Sequence, residues 1–97
     1  MDIRELIKLW FLENYSNNII LVPYTPLTEI IICGFHHGNI WWKNDECIIE
    51  LCRDESVQKL TNIADPKFFE KLKLIVDDIL AIRLEWLREE EHAIWDR

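Results

Sequence analysis

The sequence predicts an α+β fold: an N-terminal helix, a three- to four-stranded antiparallel meander, a short helix, and a long C-terminal helix packed on one sheet face. Three observations predict it. Apolar residues recur at helical spacing near both ends of the chain. Between them, short β-branched and aromatic runs are separated by polar turn residues. Two glycines and three prolines in 97 residues leave little room for linkers, so 1–97 reads as a single domain with a core of its own.

The first helix is marked by Ile3, Leu6, Ile7, Trp10 and Phe11, with Asp2 and Glu5 resembling a capping box. Asn and Ser compete with helical backbone bonding, so "NYSNN" (14–18) ends it. "IILVPY" follows as a strand that is apolar on both faces, with Pro23 marking an edge or the strand end. "TEIIICGF", "NIWWK" and "ECIIELC" are the strands of the meander, joined by "HHGN" and "KNDE". Asp54 is an N-cap candidate for the short helix, through about Ile63, and Asp65–Pro66 is a stronger start signal for the long one. From Phe68 through Leu72, Ile75, Ile79, Ile82 and Trp86 the apolar spacing alternates between four and three. Unbroken to Trp95, that helix runs ~45 Å. A domain this small cannot cover it all, so its last turns either fray or meet something.

"CGFHHGNIWWKNDEC" (33–47) concentrates the reactive side chains. With four-residue loops at His36–Asn39 and Lys43–Glu46, Phe35 falls opposite Ile40 and Trp42 opposite Cys47. One sheet face is then Ile31, Cys33, Phe35, Ile40, Trp42, Cys47, Ile49 and Leu51, all apolar. Cys33 and His36 point to opposite faces, and Cys33 and Cys47 stand ~9–10 Å apart, beyond disulfide reach. The cysteines therefore read as small core hydrophobes, with Cys52 on the other face. His37–Gly38 fits a bulged turn with glycine at positive φ. No catalytic residue, metal ligand set or cofactor motif is expected; a small metal-dependent or hydrolytic enzyme using His36, His37 and Cys52 is the third-ranked alternative.

The second face carries Trp41, placed by this register between Gly34 and Ile48, with Glu46 and Glu50 beside it. It is either a binding patch or a second small core covered by one of the helices. Glu29, Asp45, Glu46, Glu50, Asp54 and Glu55 are expected at one edge of the sheet, where with Trp41 they form the candidate partner-binding set. Asp45 and Glu46 also suit a turn, and Asp54 and Glu55 suit a helix start. At the far end of the long helix, Trp86, Leu87, Ile94 and Trp95 are candidate dimer contacts, unless that end folds back on its own sheet.

The net charge of −7, from 18 acidic and 11 basic residues, disfavours direct binding of a phosphate backbone. It favours basic protein surfaces, including those of nucleic-acid-handling proteins, although an ordinary acidic pI accounts for it equally. Three cysteines are too few for a disulfide framework. The charges in "MDIRELIKLWFLENY" argue against a signal peptide, and no apolar run approaches the ~20 residues of a membrane span. A cytoplasmic protein is expected.

A short acidic chain with a leading helix, an antiparallel meander and trailing helices resembles the small phage-encoded inhibitors of bacterial defence nucleases, the anti-CRISPR proteins. The resemblance lies in the order of elements and the charge. It implies a non-enzymatic protein that occupies a nuclease's DNA-reading groove with a carboxylate-rich surface, working in the host cytoplasm. The alternative is a homodimeric structural or assembly module using the long helix.

Overall fold

The computed structural model describes residues 2–43, 46–53 and 55–95, with residues 90–95 described by backbone alone. Helix α1 (Ile3–Tyr15) begins where Asp2 accepts a hydrogen bond from the Arg4 backbone N–H at 3.3 Å. Its buried residues Ile7, Phe11 and Tyr15 lie four apart and form a single stripe, while Leu6, Leu9 and Leu12 stay exposed. Five strands follow: β1 (Ile19–Tyr24), β2 (Leu27–Ile32), β3 (Phe35–Lys43), β4 (Glu46–Arg53) and β5 (Ser56–Leu60). They pair antiparallel in chain order, as a simple meander. Helix α2 (Phe68–Trp95) completes the chain.

The class is the expected α+β, but the sheet has five strands rather than three or four. The short helix expected from Asp54 is instead β5, paired to β4 through Cys52–Val57 and Glu50–Lys59. Asp54 itself lies outside the described residues. Ser56 Oγ donates to the Arg53 carbonyl at 2.8 Å and closes a tight turn, so the chain doubles back as a strand.

The β2–β3 connection also differs. "HHGN" is strand, and the turn is Cys33–Gly34, with φ of 52° and 86°. Two central residues at positive φ are what a two-residue type I′ hairpin requires. Consequently Thr28, not Phe35, faces Ile40, and Trp41 lies between Leu27 and Ile48 rather than beside Gly34. Ile30 and Ile32 enter the core in place of Ile31 and Cys33. The run Ile30–Cys33 is apolar throughout, so alternation cannot choose its face; the turn does.

A bulge then resets the parity. Ile31 pairs with His36 but Ile30 pairs with Gly38, which makes His37 the extra residue. That single insertion lets Phe35 and Ile40, an odd number of positions apart, both face the helices. Gly38 serves close approach rather than a turn: a Cβ built there would sit 2.0 Å from the Glu50 carbonyl oxygen.

Both helices pack on one face of the sheet, α1 against β1 and α2 against β2, β4 and β5. The core joins Ile7 and Phe11 of α1, and Phe68, Leu72, Val76 and Ile79 of α2, to Ile30, Ile32, Ile40, Cys47, Ile49 and Leu51 of the sheet. Trp10 meets Phe69 at 5.5 Å between ring centroids, and Tyr15 Oη donates to Asp77 at 2.6 Å, so the helices also hold each other. Thr28, the buried polar side chain, accepts a hydrogen bond from Trp42 Nε1 at 2.9 Å.

Asp65 starts α2. Its carboxylate accepts from the Lys67 N–H at 2.9 Å and its carbonyl from the Phe68 N–H at 3.0 Å. The 28 residues of the helix span ~42 Å, against molecular extents of 53 × 25 × 24 Å. Its second half outruns the sheet, leaving Leu84, Trp86 and Leu87 exposed. Among the described residues no helix is long and apolar enough to cross a membrane.

Candidate functional site: the open sheet face

With both helices on one side, the opposite face of the sheet is uncovered. The pairing places its residues in rows across the strands. One row is Tyr24, Leu27, Trp41 and Ile48. The next is Val22, Glu29, Asn39, Glu50 and Lys59, and beyond it Ile31 pairs with both Ile20 and His36. Rows repeat every two residues, ~7 Å along the strands, and strands stand ~4.8 Å apart, so the face measures roughly 20 × 20 Å. That is about half of the ~800 Å² each partner contributes to a standard protein interface.

The face alternates apolar and polar rows, the Trp41 row and the Ile20–Ile31 row lying on either side of the row of Glu29, Asn39 and Glu50. Trp41 is 37% exposed, Tyr24 66%, Ile20 64% and Val57 55%. Large aromatic and β-branched side chains aligned on one uncovered sheet face are uncommon on a surface that meets only water. The row of Trp41 needs no helix to fix it, because the register set by the Cys33–Gly34 turn and the His37 bulge already does.

Of the expected partner-binding residues, Glu29, Trp41, Glu46 and Glu50 come together here. Glu29 and Glu50 flank Asn39 in one row, and Glu46 pairs with Lys43 at the strand end beyond Trp41. Lys59 Nζ lies 3.6 Å from Glu50 Oε1, so this carboxylate is shared with an amine. Glu55 does not join them. It occupies the β4–β5 turn, and the eight residues of β4 separate it from Glu46 by ~25 Å. The acidic residues therefore lie on either side of the Trp41 row, Glu46 at the strand end and Glu29 and Glu50 in the next row, rather than forming one edge cluster. Asp45 and Asp54 lie outside the described residues. Sequence reasoning missed Tyr24, Leu27, Ile20 and Val22, because "IILVPY" is apolar at nearly every position and has no alternation to read.

The reactive side chains are dispersed. His36 Nε2 meets Asn39 Oδ1 at 2.9 Å, and His37 turns the other way, toward α2. Cys47 is buried and Cys52 exposed, and burial pushes the Cys33 and Cys47 thiols up, with Arg83 partly offsetting this at Cys33. Among the described residues no three His, Cys, Asp or Glu side chains form a metal-binding group.

At the other candidate surface, Trp86 and Leu87 are exposed on α2, and Trp86 also lies 5.1 Å from the Arg83 guanidinium. The side chains of Ile94 and Trp95 lie outside the described residues, although the helix backbone reaches Trp95. Comparison with protein families, with characterised proteins and with solved structures finds no match to this chain.

Proposed function

We propose that this chain is a non-enzymatic protein-binding domain that holds its partner on the open sheet face. The observation that supports the reading is the apolar row Tyr24–Leu27–Trp41–Ile48, uncovered by either helix and bordered by Glu29, Glu46 and Glu50. Tryptophan at the centre of such a patch supplies the desolvated anchor that dominates interface energies, and the surrounding carboxylates select for a basic rim on the partner. A nucleic-acid-handling protein, whose groove is lined with lysine and arginine to meet phosphates, fits that description. In this reading the domain inhibits its partner, a bacterial defence nuclease being the class implied by the resemblance, by occupying the groove.

The test is site-specific photocrosslinking from position 48, on the open face, with position 74 on α2 as control. The expected partner is basic, crosslinks from 48 and not from 74, and dissociates as salt is raised. Trp41→Ala weakens it by 10-fold or more, and the Glu46→Lys, Glu50→Lys double variant abolishes binding while the thermal melt stays unchanged. Equal crosslinking from both positions, or salt-insensitive binding by the charge-reversed protein, rejects the proposal.

A second reading rests on α2 outrunning the sheet, which leaves Leu84, Trp86 and Leu87 exposed on one end of the helix. It makes the chain a homodimeric assembly module through Trp86, Leu87, Ile94 and Trp95. A sedimentation mass that remains that of a monomer at millimolar concentration rejects it.

A further inference from the structure

The bulge that sets the parity of β3 also builds a second place where a ligand fits, under α2 and away from the open face. His37 is carried toward the helix side, where its Nδ1 meets the Cys52 carbonyl oxygen at 2.9 Å and its Nε2 meets Arg83 Nε at 2.7 Å. The arginine Nε–H is always a donor, so Nε2 is the acceptor and Nδ1–H donates to the carbonyl: a neutral imidazole in a fixed tautomer. A relay that begins on the β4 backbone thus fixes the Arg83 guanidinium. Its central carbon lies 3.9 Å from the ring centroid of Phe35 and 5.1 Å from that of Trp86.

Four of the other cations are held in ion pairs. Lys59 pairs with Glu50, Lys71 with Asp65, Lys73 with Asp77 and Arg53 with Asp78. Arg83 makes no ion pair with a described residue, in a chain whose 18 carboxylates outnumber its 11 cations. With Nε committed to His37, four N–H groups on its two terminal nitrogens remain for a ligand. Arg83, His37 and Trp86 line a cavity of about 70 Å³ whose wall includes Arg53 and whose apolar side is Ile79 and Ile82. Sites for drug-sized ligands run to ~300–1,000 Å³, so this one is on the scale of a single anionic group rather than a nucleotide.

We propose that this cavity is a receptor for one oxyanion, a carboxylate or a phosphate-type group, gripped by the terminal N–H groups of Arg83. A guanidinium already stacked and oriented loses little freedom on binding, and its planar fork matches two oxygens of either group. Arg53 adds positive potential at the wall while remaining held by Asp78. The site is independent of the open sheet face, and neither proposal needs the other.

The test follows the Arg83 Nε–Hε resonance by NMR while sodium acetate, sodium phosphate and sodium chloride are titrated in at matched ionic strength. A saturable shift with acetate or phosphate, at a midpoint in the millimolar range and absent with chloride, is expected; the arm with the lower midpoint identifies the group. Arg83→Lys keeps the charge but not the fork and weakens the response at least 10-fold, read from the neighbouring Trp86 indole resonance. An identical response to all three salts, or one that never saturates, overturns the proposal. The wild-type titration decides this alone, so a variant that fails to fold leaves nothing open.

Discussion

Replacing Gly38 by alanine tests the strand register at its tightest point. The added Cβ would lie 2.0 Å from the Glu50 carbonyl oxygen, 3.0 Å from its carbon and 3.1 Å from Leu51 Cα, all of them backbone atoms that no rotamer change can move. Ordinary contact begins near 3.4 Å, so β3 and β4 must part locally by roughly 1.4 Å. A ladder hydrogen bond lengthened by that much lies outside bonding range. One or two such bonds lost, at ~1 kcal/mol each, with ~1–3 kcal/mol for the forced overpacking, give a destabilisation of about 3 kcal/mol. For a domain of this size that lowers the midpoint of a thermal melt by roughly 12–24 °C. Gly34→Ala is the internal comparison. Its φ is 86° but nothing lies within 4 Å of the added Cβ. It costs only the left-handed backbone strain, about 1 kcal/mol. Urea unfolding followed by circular dichroism measures both. If Gly38→Ala falls within ~0.5 kcal/mol of wild type, or if Gly34→Ala is the costlier change, the close approach and the placement of the turn are both wrong.

Trp42→Phe strands the buried Thr28 hydroxyl and should cost about 1–2 kcal/mol beyond the lost packing. A double-mutant cycle with Thr28→Val should recover ~1 kcal/mol of coupling, and additivity would show the bond to be idle. The Tyr15 hydrogen bond, ahead of Lys73, holds the Asp77 carboxyl below its usual range, a stabilisation complete above the unfolded-state value of ~3.9 and lost as pH falls through the lower folded value. The melting-temperature gap between wild type and Tyr15→Phe should therefore be widest near neutrality and close in acid. A gap constant from pH 7 to pH 2 refutes this. Burial, then the bond to Asp77, raises the Tyr15 phenol, so the same contact also weakens as pH climbs above ~10, where the unfolded tyrosine ionises first. Cys33→Asn places the preferred type I′ residue at φ 52° and should raise stability by ~0.5–1 kcal/mol in a melt under reducing conditions.

The sequence carried the helices plainly, because Ile7, Phe11, Phe68, Leu72, Val76 and Ile79 have one side to bury and Asp2 and Asp65 announce the starts. It carried the inward set of β3 and β4 as well, since a four-residue turn at Lys43–Glu46 aligns Ile40, Trp42, Cys47, Ile49 and Leu51 on one wholly apolar face. It did not carry the β2 register. Four consecutive apolar residues name no face, and a cysteine is an unusual residue to find at positive φ, so "CG" gave way to "HHGN" as the apparent turn. β5 was hidden for a related reason: Val57, Gln58 and Lys59 are all exposed, and an edge strand with little buried surface leaves almost no pattern. Trp41, Glu46 and Glu50 were legible as one face because β3 and β4 keep the expected register, whereas Glu29 joins them only through the β2 register that the turn and bulge set. The Arg83–His37 contact was not, since it joins residues 46 apart through a bulge that only the paired backbone reveals.

The extra residue at His37 also governs what lengths of chain this fold accepts. Deleting it would restore a regular ladder along β2 and β3 with Gly38, Ile40 and Trp42 still facing the helices, and the loss would be the His37 side chain that reaches Arg83. A single-codon deletion at the bulge thus spares the core, whereas one between Gly38 and Trp42, where every residue is paired, would turn part of the strand to the wrong face. Variants of this chain that keep its fold can lose the bulge residue but should hold the spacing from Gly38 to Trp42 constant.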